Sequence, residues 1–136
     1  MTRSREKTRG RKTRGRYLAM PVSVLDSESY RGLSLAAGRA LTMLHYQYKG
    51  CNNGDLSAPL SEAKRWGINS SATLAKVLRE LERVELILKT RDPTLNRKSP
   101  HGQCALYAIT WEALDACSGK HDLKPTVAPL RIFSGT

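Results

Sequence analysis

Between residues 63 and 90 the apolar positions change their period. In AKRWGINSSATLAKVLRELERVELILKT, Leu74, Val77, Leu78, Leu81 and Val84 recur at three- and four-residue steps, which is one stripe of a helix. Ser70, Ser71, Thr73, Lys76, Arg79, Glu80 and Arg83 fall off that stripe and turn toward solvent to different degrees. Leu86, Ile87, Leu88, Lys89 and Thr90 then read as a strand. Upstream, a shorter helix ends at Trp66, and Gly67 supplies the residue that tolerates a left-handed turn. Ile68 is the apolar plug between the two helices, and Asn69, Ser70 and Ser71 are N-cap candidates for the second. The pattern predicts a helix, a tight turn, a helix over 70–84 and a strand over 86–90.

The flanking sequence supports this unit. Tyr17, Leu18, Met20, Val22, Val24 and Leu25 form a first apolar cluster interrupted by Pro21, and Ser27 caps a single turn that runs through Tyr30 and ends at Gly32. Ser34 caps a long helix over 35–48, whose Ala37, Leu41, Leu44 and Tyr48 share one face and leave His45 and Gln47 on the surface. Gly38 costs up to about 1 kcal/mol in a helix interior and marks a close helix crossing. The run 49–55, KGCNNGD, is turn chemistry without the repeated carboxylates of a calcium loop. Residues 56–58 suit a short strand, with Ser57 or Ser61 capping the helix that ends at Trp66. Downstream, 91–103 (RDPTLNRKSPHGQ) is a long hairpin loop between the strand at 86–90 and a second at 104–111. Residues 112–117 add one helical turn, and Trp111 is a core or edge aromatic. The chain divides into a basic arm (1–16), a domain (17–117) and a Pro- and Gly-punctuated tail (118–136), whose Leu130, Ile132 and Phe133 dock on the domain or on a second subunit.

Composition narrows the partner. A chain of 136 residues, 40% hydrophobic, holds one core rather than two. Its formal net charge of +11 favours a polyanion, nucleic acid ahead of an anionic membrane. The first sixteen residues carry eight cations against Glu6, a net +7, with no large apolar residue beyond Met1, and are expected to be a disordered arm. Cys51, Cys104 and Cys117 have no paired spacing and read as small buried residues, reduced in a cytosolic protein. No apolar run has the length of a membrane span and no signal-peptide core follows the basic start, so the expected location is cytoplasmic, at the nucleoid.

Catalytic chemistry finds no footing. The chain has no glycine-rich phosphate loop, nucleophile elbow or Ser/His/Asp grouping, and His101 lacks partner ligands for a metal. No enzyme activity, cofactor, metal or small-molecule ligand is expected. The short hydrogen-bonding side chains at the first turn of helix 70–84 suit a helix that enters a major groove.

The segment RWGINSSATLAKVLRELERVELI resembles the winged helix-turn-helix family, which includes DNA-binding domains of bacterial regulators and of plasmid or phage replication initiators. With its flanking elements the resemblance covers residues 27–111. It implies an α+β fold, mainly α, in which a two- to three-stranded antiparallel wing follows the reader helix. It also implies a double-stranded DNA partner. Ser70, Ser71, Thr73 and Lys76 would meet base edges, with Arg79 and Arg83 on flanking phosphates. Arg91, Arg97, Lys98 and His101 of the wing, and Arg9, Arg11, Lys12, Arg14 and Arg16 of the arm, would grip phosphate or the minor groove. Transcriptional regulation and replication- or partition-type origin binding by a bacterial or mobile-element protein both fit, as does a homodimer or a second protein partner. The alternative is a winged helix that serves as a protein- or RNA-interaction module, or a non-specific architectural DNA binder. The sequence departs from the family in one place: glycine is usual just before the wing strand, and this chain has Glu85.

Overall fold

Serine hydroxyls open three of the five helices in the computed structural model, which describes residues 15–96 and 99–133 and, for 94–96 and 99–103, the backbone only. Ser27 Oγ accepts from the Tyr30 N–H at the start of α2 (Glu28–Arg31), which Gly32 ends. Ser34 does the same for α3 (Leu35–Tyr46), and Ser70 for α5 (Ser71–Arg83). Each bond satisfies one of the orphan N–H groups of a helix start. The other two helices begin on prolines. Pro21 precedes α1 (Val22–Leu25) and Pro59 precedes α4 (Leu60–Arg65), with no side-chain cap at either. Pro21 therefore starts a helix rather than interrupting a cluster, its fixed φ suiting that place. Neither Ser57 nor Ser61 caps α4. Ser57 is held in a strand, where its N–H and C=O exchange hydrogen bonds with the Gln47 side-chain amide.

Strands β1 (Leu56–Ser57), β2 (Ile87–Arg91) and β5 (Leu106–Ile109) form an antiparallel sheet in the order β1-β5-β2. Ile87 stands opposite Ile109 and Leu56 opposite Tyr107, and a bulge at Thr90 shifts the register before Arg91 pairs with Leu106. Thr90 is buried at this bulge, and its hydroxyl donates to Gly54 O at 2.7 Å. All four residues of β5 are buried, because the strand has neighbours on both edges and helices on its inner face. The core joins Leu41, Met43 and Leu44 of α3 to Leu81 of α5, Leu86, and Leu56 and Ile109 of the sheet. Burial of each such side chain stabilises the fold by about 2 kcal/mol. The architecture is α+β, with five helices and a three-stranded antiparallel sheet among the described residues. No helix among them is long and apolar enough to cross a membrane.

Several local expectations are corrected. Helix α3 ends at Tyr46, two residues early, because the Gln47 amide reaches to Ser57 and Asn52 Nδ2 binds Gln47 O. His45 is buried, not superficial: its ring meets Trp111 edge-on, with centroids 5.2 Å apart. Burial, then the Arg16 charge, holds its pKa below the usual histidine value. Gly38 marks no close crossing, since a Cβ added there would meet nothing within 4 Å. Cys51 and Cys104 are exposed and Cys117 is half-buried, and the three form no disulfide. None of the three belongs to the buried core. The strand expected at 86–90 runs one residue later, as Ile87–Arg91. The segment 91–103 is not an irregular loop; it holds strands β3 (Thr94–Asn96) and β4 (Ser99–Gln103), paired as a second two-stranded sheet.

The residues after β5 close the domain. No helix forms over 112–117. Ala113 pairs with Pro129 in an isolated bridge, and a short turn at Cys117–Gly119 runs through positive φ. Residues 118–133 fold back on the domain: Arg131 N–H donates to Thr110 O at 2.8 Å, Leu130 N–H to Glu112 O at 3.2 Å, and Phe133 packs on the core. Ile132 points away and is exposed.

Asn53 fastens the 49–55 turn from within. The side chain is fully buried; its Oδ1 accepts from Ile109 N at 2.8 Å, and its Nδ2 donates to Ile109 O and Ala113 O. Its backbone N–H meets the Asp115 carboxylate and its carbonyl accepts the Asp115 N–H. An asparagine that reads as turn chemistry is thus the polar centre of the sheet end, with its hydrogen-bonding capacity used inside the protein.

Candidate nucleic-acid interface

Helix α5 buries Leu74, Val77, Leu78 and Leu81 and exposes the opposite side. Ser70, Ser71, Thr73, Lys76, Arg79 and Arg83 are all exposed, so six of the sequence-predicted contacts lie along one element. Their three- and four-residue spacing continues from the first turn to the last. Among the described residues, Lys76, Arg79 and Arg83 enter no ion pair. The Ser70 hydroxyl is committed, accepting from Thr73 N at 3.1 Å and donating to Thr73 Oγ1 at 2.9 Å. Thr73 Oγ1 receives that bond and keeps its own proton for another acceptor. Ser70 is therefore a cap, and Ser71, Thr73 and Lys76 are the groups left to project.

Two devices fix how α5 is presented. Glu80, on α5, clamps the start of α3: its Oε2 accepts from Ser34 N and its Oε1 from Ser34 Oγ, both at 2.8 Å. A carboxylate at a helix N-terminus is favoured by the helix dipole, and here it sets the rotation of α5 against α3. At the other end Arg131 donates to Val84 O at 2.8 Å and Glu85 O at 3.1 Å, and its second nitrogen reaches Ser29 Oγ at 3.0 Å. The Arg131 guanidinium lies over the Phe133 ring, 4.2 Å from its centroid. Neither Glu80 nor Arg131 stands out in the sequence as a positioning residue. Glu80 falls on the solvent side of the stripe, and Arg131 sits in an aperiodic segment.

The turn before α5 is built as its sequence predicts. Gly67 takes φ +88°, its N–H binding Lys64 O at 3.1 Å, and Ile68 N–H binds Ala63 O at 3.0 Å while the Ile68 side chain is buried. That closure leaves Lys64 and Arg65 exposed beside the turn. Arg65 pairs with Glu62 at 3.1 Å on the surface, a contact worth little in water. These two cations were missed by the sequence reading and lie on the helix preceding the turn.

The remaining candidates divide. Arg91 turns back on its own protein: its Nε and one Nη donate to Cys104 O at 3.2 and 2.7 Å, and its other Nη to Lys120 O at 3.3 Å. It ties β2 to the chain beyond β4 and is poorly placed to leave for a phosphate. Arg16 binds the carbonyls of Tyr46 and Tyr48 at the end of α3 and lies over the Tyr46 ring. A cation there complements the helix C-terminus, so Arg16 fastens the segment before α1 to the end of α3. Arg9, Arg11, Lys12, Arg14, Arg97 and Lys98 lie outside the described residues, and for His101 only the backbone is described, in β4.

No metal-binding group of three or more His, Cys, Asp or Glu side chains occurs among the described residues. His121 is buried and spent: its Nε2 bonds Asp115 O at 2.8 Å and its Nδ1 accepts from Leu123 N at 3.1 Å. Comparison with known proteins finds no family model, no curated protein and no solved structure that matches this chain.

Proposed function

We propose that this chain is a winged helix-turn-helix protein that binds duplex DNA in a sequence-dependent way, with α5 in the major groove. The observation that carries the reading is the exposed row Ser71, Thr73, Lys76, Arg79 and Arg83 on a helix whose other face is core. Short hydrogen-bonding groups stand at its first turn and cations follow, the order a groove-entering helix needs when its N-terminal residues read bases and later ones meet phosphate. The Gly67 turn gives α4 the bracing place before it. The β2–β5 hairpin, with β3–β4 at its tip, takes the place of the wing. Lys64 and Arg65 join the phosphate contacts, and the net charge of +11 supplies the long-range attraction. Regulation of transcription and binding at a replication or partition origin are both served by such a reader.

Selection from a random duplex pool tests this. A selected duplex should bind about 10³-fold or more tighter than a scrambled one at physiological salt. Thr73→Ala or Ser71→Ala should change which sequence is selected, whereas Arg79→Ala should weaken all duplexes alike and reduce the salt slope by roughly one. Removing residues 1–14 should flatten the slope further. Equal affinity for every duplex would leave only a non-specific architectural role.

A further inference from the structure

A second basic surface lies at the C-terminal ends of α3 and α4, and it carries aromatic rings. Tyr46, 49% exposed near the end of α3, meets the half-buried Trp66 at the end of α4 with ring centroids 5.6 Å apart. Arg16 closes the Tyr46 side, its guanidinium 5.1 Å from the ring centroid. Arg39 closes the Trp66 side, donating to Trp66 O at 3.5 Å. The two rings thus lie between Arg39 and Arg16, with Lys49 exposed beside Tyr46. An open groove of about 530 Å³ runs beside Tyr46, lined among others by Arg16, Lys49 and Ser57.

The two acidic groups that line this groove, Asp55 and Glu62, are already occupied. Glu62 gives Oε1 to Arg65 and Oε2 to Trp66 Nε1, both at 3.1 Å, and Asp55 faces Lys120 at 3.6 Å. Arg16 and Lys49 form no ion pair among the described residues, and with Arg65 and Lys120, which pair the two carboxylates, the groove and its rim carry four cations against two carboxylates. Rings partly open to solvent beside cations suit an unpaired nucleotide strand: bases stack on the rings and phosphates meet the flanking cations. A duplex keeps its bases stacked inside and cannot offer them to Tyr46.

We propose that the Tyr46–Trp66 pair binds single-stranded nucleic acid, an unpaired base lying against the two rings and the neighbouring phosphates meeting Lys49 and Arg39. None of these residues belongs to the α5 row, and the site does not depend on the duplex reading.

Oligo(dT) and oligo(U) are the probes. Trp111 is buried, so quenching of tryptophan emission on titration reports Trp66. Tyr46→Ala should lower affinity for the oligomers about tenfold, Tyr46→Phe should restore it, and duplex affinity should stay within about twofold in both. Full oligomer affinity in Tyr46→Ala overturns the proposal, as does a Tyr46→Phe variant that loses as much. Photocrosslinking of a 5-iodouracil oligomer to the unaltered protein keeps the test independent of variant folding. Crosslinks at Tyr46 or Trp66 support the site, and crosslinks confined to residues 1–14 or to α5 refute it. A preference for oligo(U) or for oligo(dT) supports it equally and assigns RNA or DNA as the source. Saturating duplex added first should leave oligomer quenching in place; loss of quenching would mean one shared surface and overturn the claim of a second. Oligomer binding with no selectable duplex would leave this site standing and remove the α5 reading instead.

Discussion

The turns that end α4 and α5 have the same hydrogen bonds and different residues. After α4, Gly67 takes φ +88°, with Gly67 N–H on Lys64 O and Ile68 N–H on Ala63 O. After α5, Glu85 takes φ +61°, with Glu85 N–H on Glu82 O and Leu86 N–H on Leu81 O, both at 3.0 Å. Both are the left-handed closure that glycine favours because it lacks a Cβ. A glutamate there is strained, and it persists because its surroundings over-determine it. Thr110 Oγ1 donates to Glu85 O at 2.8 Å and to Leu86 O at 3.1 Å, while Arg131 holds Val84 O and Glu85 O. Arg131 is itself placed by its N–H on Thr110 O. One turn is closed by its own residue and the other by a clamp brought from the end of the chain.

Breaking the clamp should have the largest effect. Arg131→Ala removes charge-assisted bonds to two carbonyls and a hydroxyl, and should destabilise the protein by about 2 kcal/mol, read as a lower urea midpoint at unchanged slope. If the midpoint stays where it was, the clamp carries no weight and the strand alone holds Glu85. Gly67→Ala should come next, with a loss of about 1 kcal/mol. No atom lies within 4 Å of the added methyl group, so the measured loss isolates backbone strain. Glu85→Gly should move the other way, stabilising by about 0.5–1 kcal/mol, because the same φ is then adopted without a Cβ. A loss in its place would show that the Glu85 side chain contributes something the backbone account lacks. The smallest effect is the coupling. In the double variant Glu85→Gly with Arg131→Ala, the loss from Arg131 should shrink by roughly 0.5 kcal/mol, since a glycine needs less holding. Strict additivity in that cycle would separate the clamp from the strain.

This contrast also explains what could be read from the chain. The glycine before α5 is legible because the residue type and the conformation agree, and Ile68 confirms its place by apolarity alone. At Glu85 the residue type argues against the conformation it adopts, and the clamp that resolves the conflict is 46 residues away. The candidate interface follows the same division. The face of α5 follows from its period, so the exposure of Ser71, Thr73, Lys76, Arg79 and Arg83 is legible in sequence, whereas the fates of Arg91 and Arg16 are not. A guanidinium that binds backbone carbonyls looks identical in sequence to one held out to solvent, because every residue offers a carbonyl. His45 was misplaced for a related reason. Counting apolar residues finds a stripe one face wide, and Trp111 widens the covered zone to include the next side chain.

The sequence by itself determined the features that act over three or four residues: the serine caps at Ser27, Ser34 and Ser70, the apolar stripes of α3 and α5, the Gly67 turn and the polar outer row of α5. Each arises from groups on neighbouring turns, so composition and spacing contain the whole interaction. Only the tertiary structure decided the rest. Asn53 meets Ile109 across 56 residues, Glu80 meets Ser34 across 46, and Arg131 meets Val84 across 47. These contacts form when the closed chain brings a donor to a carbonyl, carboxylate or side-chain amide that has lost its water, and which group that is depends on packing rather than on any local pattern.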